Sequence, residues 1–249
     1  MFRHEFEVRF TLKSIPQIKL LFEWGVKIDD FEIEVQDGKI VGKTSISIDV
    51  DDLELAKRQA IDKIEELTTI LTLTFGTPYK VDDISVVHKP IIKKTESGQT
   101  LSIFDTVHIT EQVVIIQKIP TEFIEEQYYL WRDKLSKLKD KEVLLRALKW
   151  WRRGSLDEDN VDRFLHYFIT LGMLASLIEK KFEEVCNEAG ITYRPDGRHS
   201  LKWVRNKLLH SVGEEKEIAE KLAKNYADIL GNEIFHVIKK ILEGQMLNT

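Results

Sequence analysis

The chain has a single cysteine, Cys186, in 249 residues. That excludes an intrachain disulfide and any metal cluster built on cysteine thiolates. Cys186 falls among Phe182, Val185 and Ala189, which points to packing rather than reactivity. Proline is scarce at 5 residues, and with 43% hydrophobic and 32% charged side chains the composition argues for packed domains and against disorder. No segment approaches the ~20 apolar residues that a membrane span requires. The opening residues Met1, Phe2, Arg3, His4, Glu5 and Phe6 alternate apolar and charged side chains and lack the apolar core of a signal peptide. A cytoplasmic protein without a membrane partner is therefore expected. Also missing are a phosphate-cradling glycine loop, a dinucleotide fingerprint, His-Glu-x-x-His and Cys-x-x-Cys. Nucleotide hydrolysis and zinc chemistry have no support, and neither a metal nor a cofactor is expected.

A strong positive charge is absent as well. The net charge is -5, and residues 1–119 hold 15 basic against 20 acidic side chains while residues 120–249 hold 22 of each. The excess acid thus lies in the first part, and a uniformly basic nucleic-acid binder is excluded. One tract reverses the sign. From 194 to 210, Arg194, Arg198, Lys202, Arg205 and Lys207 face only Asp196, a net +4. Such a cluster suits phosphate recognition through charge and bidentate Arg contacts. A solvated helix face is the plainer reading of a basic run by itself.

Hydrophobic periodicity divides the chain near residue 119. Before it, Phe2, Phe6, Val8, Phe10 and Leu12 alternate, as do Ile46, Ile48 and Val50 after the turn signal Asp37-Gly38. Leu53, Ala56, Ala60, Ile64, Leu67 and Leu71 recur at helical spacing behind Asp51-Asp52, with Gly76 and Pro78 closing the element. Residues 84–92 and 101–116 alternate again around Ser97-Gly98. This predicts an α+β unit over 1–119, a mixed sheet with one covering helix. After Pro120 the pattern is helical only, with segments 121–139, 142–153, 159–189, 201–210, 214–230 and 232–242 forming an all-α bundle over 120–249. There is no internal repeat and no low-complexity linker, so the two parts are expected to touch.

The densest chemistry lies in the run Leu201, Lys202, Trp203, Val204, Arg205, Asn206, Lys207, Leu208, Leu209, His210. On a helix, Leu201, Val204 and Leu208 share a core-facing stripe, and Lys202, Arg205, Asn206 and His210 spread over the other side. Five residues of α-helix turn about 140° beyond a full circle and rise about 7.5 Å, so Arg205 and His210 do not share one face. A joint site needs a second copy of the chain or a loosened last turn. A second pair with the same spacing, Arg194 and His199, encloses Pro195 and Gly197 and reads as a turn.

This run resembles the Arg-and-His motif of HEPN-domain proteins. Upstream, Ala147-Leu148-Lys149-Trp150-Trp151-Arg152-Arg153-Gly154 and Asp162-Arg163-Phe164-Leu165-His166-Tyr167-Phe168-Ile169-Thr170-Leu171 resemble two blocks of the Apea-like branch of that family. The resemblance covers roughly the C-terminal half. It implies a HEPN-like bundle, a homodimer through the C-terminal domain whose motif helices line one composite cleft, and metal-independent cleavage of RNA by transesterification to a 2′,3′-cyclic phosphate, in a toxin or antiviral defence setting. Arg205, Asn206 and His210 would then be catalytic. His210 would act as general base toward the RNA 2′-hydroxyl and Arg205 would neutralise the scissile phosphate. Asn206 would orient the imidazole or the backbone. RNA is the expected partner, held by Arg194, Arg198, Lys202 and Lys207, with the first domain sensing a trigger or positioning substrate. There is one departure. Gly172 stands where that branch carries an acidic residue, and Glu179 is the acid offered as its substitute. The departure favours the alternative, a non-catalytic HEPN module that binds RNA, nucleotide or a protein partner. A structural dimerisation domain and a His210 that merely ends a helix are the plainest readings. Trp150, Trp151 and Trp203 beside arginines suit base stacking, but core or interface packing is the usual role of such residues. The cluster Asp157-Glu158-Asp159-Asn160 reads as a helix start, and His88 and His108 as structural histidines on strands.

Overall fold

A computed structural model describes residues 4–14, 25–36, 39–50, 52–88 and 120–246. Five strands make one sheet: β1 His4–Ser14, β2 Gly25–Ile28, β3 Phe31–Gln36, β4 Lys39–Ile48 and β5 Tyr79–His88, in the order β2-β3-β4-β1-β5. The even residues Phe6, Val8, Phe10 and Leu12 are buried, as the alternation of β1 predicts. The odd side meets solvent, with Arg9 bonding Glu7 at 2.7 Å. Every pairing among the described residues is antiparallel, where a mixed sheet was expected. The reason is topological. The helix α1, Leu53–Phe75, carries the chain from β4 to β5, and these two strands do run the same way. Strand β1 lies between them and opposes both, so no parallel pair forms.

Helix α1 begins where Asp52 accepts the N–H groups of Glu54 and Leu55 at 2.9 and 3.0 Å, and ends at Gly76, whose φ of 66° few other residues adopt. Ala56, Ala60, Ile64, Leu67 and Leu71 are buried on its inward stripe. The turn Asp37-Gly38, the alternation at 101–116 and His108 lie outside the described residues.

The second half holds α2 Thr121–Lys137, α3 Lys141–Leu156, α4 Asn160–Leu177, α5 Phe182–Ala189, α6 Leu201–His210 and α7 Glu214–Leu242. Besides shifts of one to three residues at other helix ends, two breaks differ from the periodicity. The stretch read as one helix over 159–189 breaks after Leu177, because Glu179 takes a left-handed φ of 54° and the N–H of Lys180 bonds the carbonyl of Ala175 at 3.0 Å. This closes the helix end in the manner usual for glycine. The break read at Gly231 is absent. Helix α7 runs straight through, with Gly231 buried against Tyr167, where a Cβ would come within 2.5 Å of the ring. Asp159 caps α4 by accepting the N–H of Val161 at 2.6 Å, the role expected of the acidic cluster.

The two halves are joined by a polar seam and a shared core. Buried apolar residues of the sheet, α1 and the bundle form one continuous cluster. Lys141 bonds Glu66 at 2.9 Å, Arg152 pairs with Glu65, and Arg132 pairs with Asp29 of the β2–β3 turn. Among the described residues no single helix is long and apolar enough to cross a membrane.

Candidate functional site

Helix α6 is positioned by Ser200, whose Oγ accepts the N–H of Trp203 at 3.1 Å. Leu201, Val204 and Leu208 are buried and anchor it against the bundle. At about 100° per residue the exposed positions then follow one arc: Arg205 at the flank of the buried stripe, Lys202 and Asn206 beyond it, and His210 at the solvent pole. The last turn is regular, closed by the N–H of Ser211 on the carbonyl of Lys207 at 3.1 Å. No loosening brings Arg205 to His210, and about 140° of helix surface separates them.

The partners of each side chain sort the tract further. Arg205 Nη1 donates to Asn206 Oδ1 at 2.9 Å, so Asn206 holds the arginine and not His210. His210 is exposed and makes no hydrogen bond or ion pair among the described residues. Lys202 lies 5.5 Å from the centre of the Phe182 ring and meets no carboxylate there. Lys207, by contrast, is ion-paired with Glu215 Oε2 at 2.6 Å. Arg194 and Arg198 belong to the turn that Pro195 and Gly197 predict. The N–H of Gly197 bonds the Arg194 carbonyl at 2.9 Å, and Arg194 Nη1 reaches the Arg198 carbonyl at 3.4 Å.

Asp196, the tract's only acid, is fully engaged within that turn. It accepts the N–H of His199 at 2.7 Å and of Arg198 at 3.0 Å, and its Oδ2 lies 2.6 Å from His199 Nδ1. The His199 backbone N–H, then the His199 ring, hold its carboxyl well below the usual carboxylate range. It therefore leaves the charges of Lys202 and Arg205 uncompensated. Two apolar side chains stand beside His210: Leu209 is 48% exposed and Val212 89%. Exposed apolar residues of this kind are common on protein surfaces.

The other blocks of the resemblance serve packing. Trp151 stacks on Phe235 with centroids 4.6 Å apart and donates Nε1 to the Gly231 carbonyl at 2.8 Å. Tyr167 is wedged between Gly154 and Gly231, and its hydroxyl lies 3.0 Å from Ser155 Oγ. Trp150 is half-buried beside His166, and Trp203 packs on His199 with centroids 4.0 Å apart. None of these rings is a free stacking platform. Gly172 has open space where a side chain would stand. Glu179 does not replace the missing acid in register, because α4 has already ended and its backbone has turned left-handed.

Cys186 is buried, and burial pushes its thiol up to about 12, which suits packing and not nucleophilic chemistry. Among the described residues no group of three or more His, Cys, Asp or Glu side chains is placed to hold a metal ion. The polar residues that sequence spacing missed are Glu65, Tyr79 and His166, which gather around Arg152 from α1, β5 and α4. No local pattern links them, since they are far apart in the chain. Comparison with protein-family models, characterised proteins and solved structures finds no match.

Proposed function

We propose that the exposed arc of α6 is the cleavage face of a HEPN-type, metal-independent endoribonuclease, working in the cytoplasm as a homodimer. The observation that carries this reading is the uncompensated Arg205 and Lys202 beside a partner-free His210, in a tract whose only acid is engaged elsewhere. An anionic polymer supplies the missing charge. His210 takes the proton of a ribose 2′-hydroxyl, whose oxygen attacks the adjacent phosphorus. The bond to the 5′-oxygen breaks, leaving a 2′,3′-cyclic phosphate and a 5′-hydroxyl once that oxygen is protonated. Arg205 stabilises the charge that develops on the phosphoryl oxygens. Because α6 keeps the two residues apart, Arg205 of one protomer works with His210 of the other, with Leu209 and Val212 at the contact.

Two observations favour a second reading. Asn206 is turned toward Arg205 and leaves His210 without an orienting partner, and Gly172 carries no acid, which suits a module that binds RNA, nucleotide or a protein without cutting.

Incubating the protein with RNA in the presence and absence of EDTA separates the two. The nuclease reading expects cleavage that survives chelation, cyclic phosphate ends, and a loss of ~10²–10⁴-fold in rate for His210→Ala at nearly unchanged RNA affinity. RNA binding with no cleavage favours the module. Activity that EDTA abolishes and magnesium restores refutes the metal-independent mechanism.

A further inference from the structure

Where the sheet meets the bundle there is an open cavity of about 780 Å³, the size of many small-ligand sites. Its walls come from α1, β5, α3 and α4, and Arg152 lies among them, 5% exposed. Among the described residues four buried side-chain atoms have no hydrogen-bond partner: Tyr79 Oη, Trp131 Nε1, Arg152 Nη1 and His166 Nδ1. Three of these belong to residues that line this cavity. A buried polar group without a partner is destabilising, and more so if charged, so such groups gather where something else satisfies them.

The chemistry of the three groups is one-sided. Arg152 Nη1 and Tyr79 Oη offer protons, and His166 Nδ1 can do so as well. Asp157 Oδ2 stands 3.5 Å from His166 Nδ1, too far for a full hydrogen bond. Lys80, Lys149 and Arg153 add positive charge to the lining. Of the opposing carboxylates, Glu65 already pairs with Arg152 and stands 3.8 Å from Lys149, and Asp157 accepts the N–H of Asp159 at 3.1 Å. Glu158 is the remaining acid. The lining carries four basic side chains, Lys80, Lys149, Arg152 and Arg153, against three acidic ones, and together with its unpartnered donors it fits a ligand rich in acceptors. Arg in particular matches the paired oxygens of a phosphate.

We propose that this cavity binds a small molecule through a phosphate group, with Arg152 as its anchor, Tyr79 and His166 as further donors, and Lys149 and Arg153 as charged lining. The site is separate from α6 and does not depend on the nuclease reading. It joins α1 to α3, so its ligand holds the two halves together.

The test is calorimetric titration of the full chain with inorganic phosphate and with adenosine monophosphate, alongside thermal melts. The proposal expects saturable binding at millimolar concentration or below and a rise in Tm with either probe. Tighter binding of the nucleotide identifies a nucleotide-like ligand, and equal binding identifies the phosphate group alone as the feature recognised. Arg152→Lys should weaken binding by about tenfold or more, the loss of a charge-assisted hydrogen bond. Lys149→Ala and Arg153→Ala should weaken it in a salt-dependent way. Tyr79→Phe discriminates further, because it removes an unsatisfied hydroxyl: the unliganded chain should be no less stable while phosphate binds more weakly. Absence of heat and of any Tm change with both probes overturns the proposal. So does binding that Arg152→Lys and Tyr79→Phe leave at the level of the natural chain.

Discussion

Arg152 and Arg205 stand in two stretches that resemble the same family, and their surroundings are opposite. Arg152 is buried at the wall between sheet and bundle, with one nitrogen on Glu65 and the other without a partner. Burial lowers its pKa, and Glu65 beside it works against that shift. Arg205 lies on an open helix face, tied only to its neighbour Asn206. The first is assembled within one chain, where we propose that a small ligand binds. The second is, on the proposed function, half of a site, because a regular helix cannot turn Arg205 and His210 toward one point. A buried arginine is held by packing, and an exposed one acquires its function from whatever docks on it.

The sharpest way to break this comparison is to damage packing on one side and charge on the other. Trp151→Ala should cost about 3–5 kcal/mol of stability, since it removes a buried ring stacked on Phe235 and the hydrogen bond to Gly231. Arg205→Ala should change stability by less than about 0.5 kcal/mol, as exposed substitutions do. Denaturant melts of the two variants measure this. If Arg205→Ala proves as damaging as Trp151→Ala, α6 is a structural element and the contrast fails.

A smaller effect sharpens the reading of the basic tract. Among the described residues Lys202 has no acidic partner, while Lys207 is paired with Glu215. Lys202→Ala should weaken RNA binding and flatten the slope of log affinity against log salt by about 0.7. Lys207→Ala should do less, because its charge is already compensated. Equal slopes for the two variants would show that the ion pair opens on binding and would remove the distinction.

The smallest effect concerns the turn that presents Arg198. The pKa of Asp196 is depressed in the folded chain, so its contribution to stability is fully present above about pH 4 and is lost as the pH falls through that range toward the folded value. The natural chain should therefore lose more stability between neutral and strongly acidic pH than Asp196→Asn does. Parallel pH-dependent melts give the comparison, and identical profiles would mean that the carboxylate contributes nothing to the turn.

Helix α6 was legible from its own residues because its signals are local: three apolar residues on one stripe and polar residues on the other side. Both boundaries of Leu201–His210 agree with the periodicity. The same holds for the buried alternation of β1 and for the stripe of α1. What escaped was decided by contacts distant in sequence. Gly231 reads as a helix end until Tyr167 is seen to occupy the space a side chain would take. Glu179 reads as helix until its backbone closes α4. Strands β2 and β3 are short and are held by pairing, β3 with β4 and β2 with β3, rather than by a long alternation of their own. The cavity was illegible for the same reason, since Glu65, Tyr79, Arg152 and His166 share no spacing and meet only when the sheet packs on the bundle.

On the proposed function, Arg205 and His210 act together only across two copies of the chain. Mixing two separately inactive variants, Arg205→Ala and His210→Ala, tests it directly. In a heterodimer one of the two Arg205–His210 pairs in the composite cleft receives both substitutions and the other receives neither. With half of all dimers mixed, about one quarter of the natural cleavage activity should return on mixing and exchange, by the symmetry of a two-fold assembly. If each chain supplied both residues to its own site, every site in the mixture would carry a substitution. No recovery of activity, with exchange of subunits verified, would contradict the account.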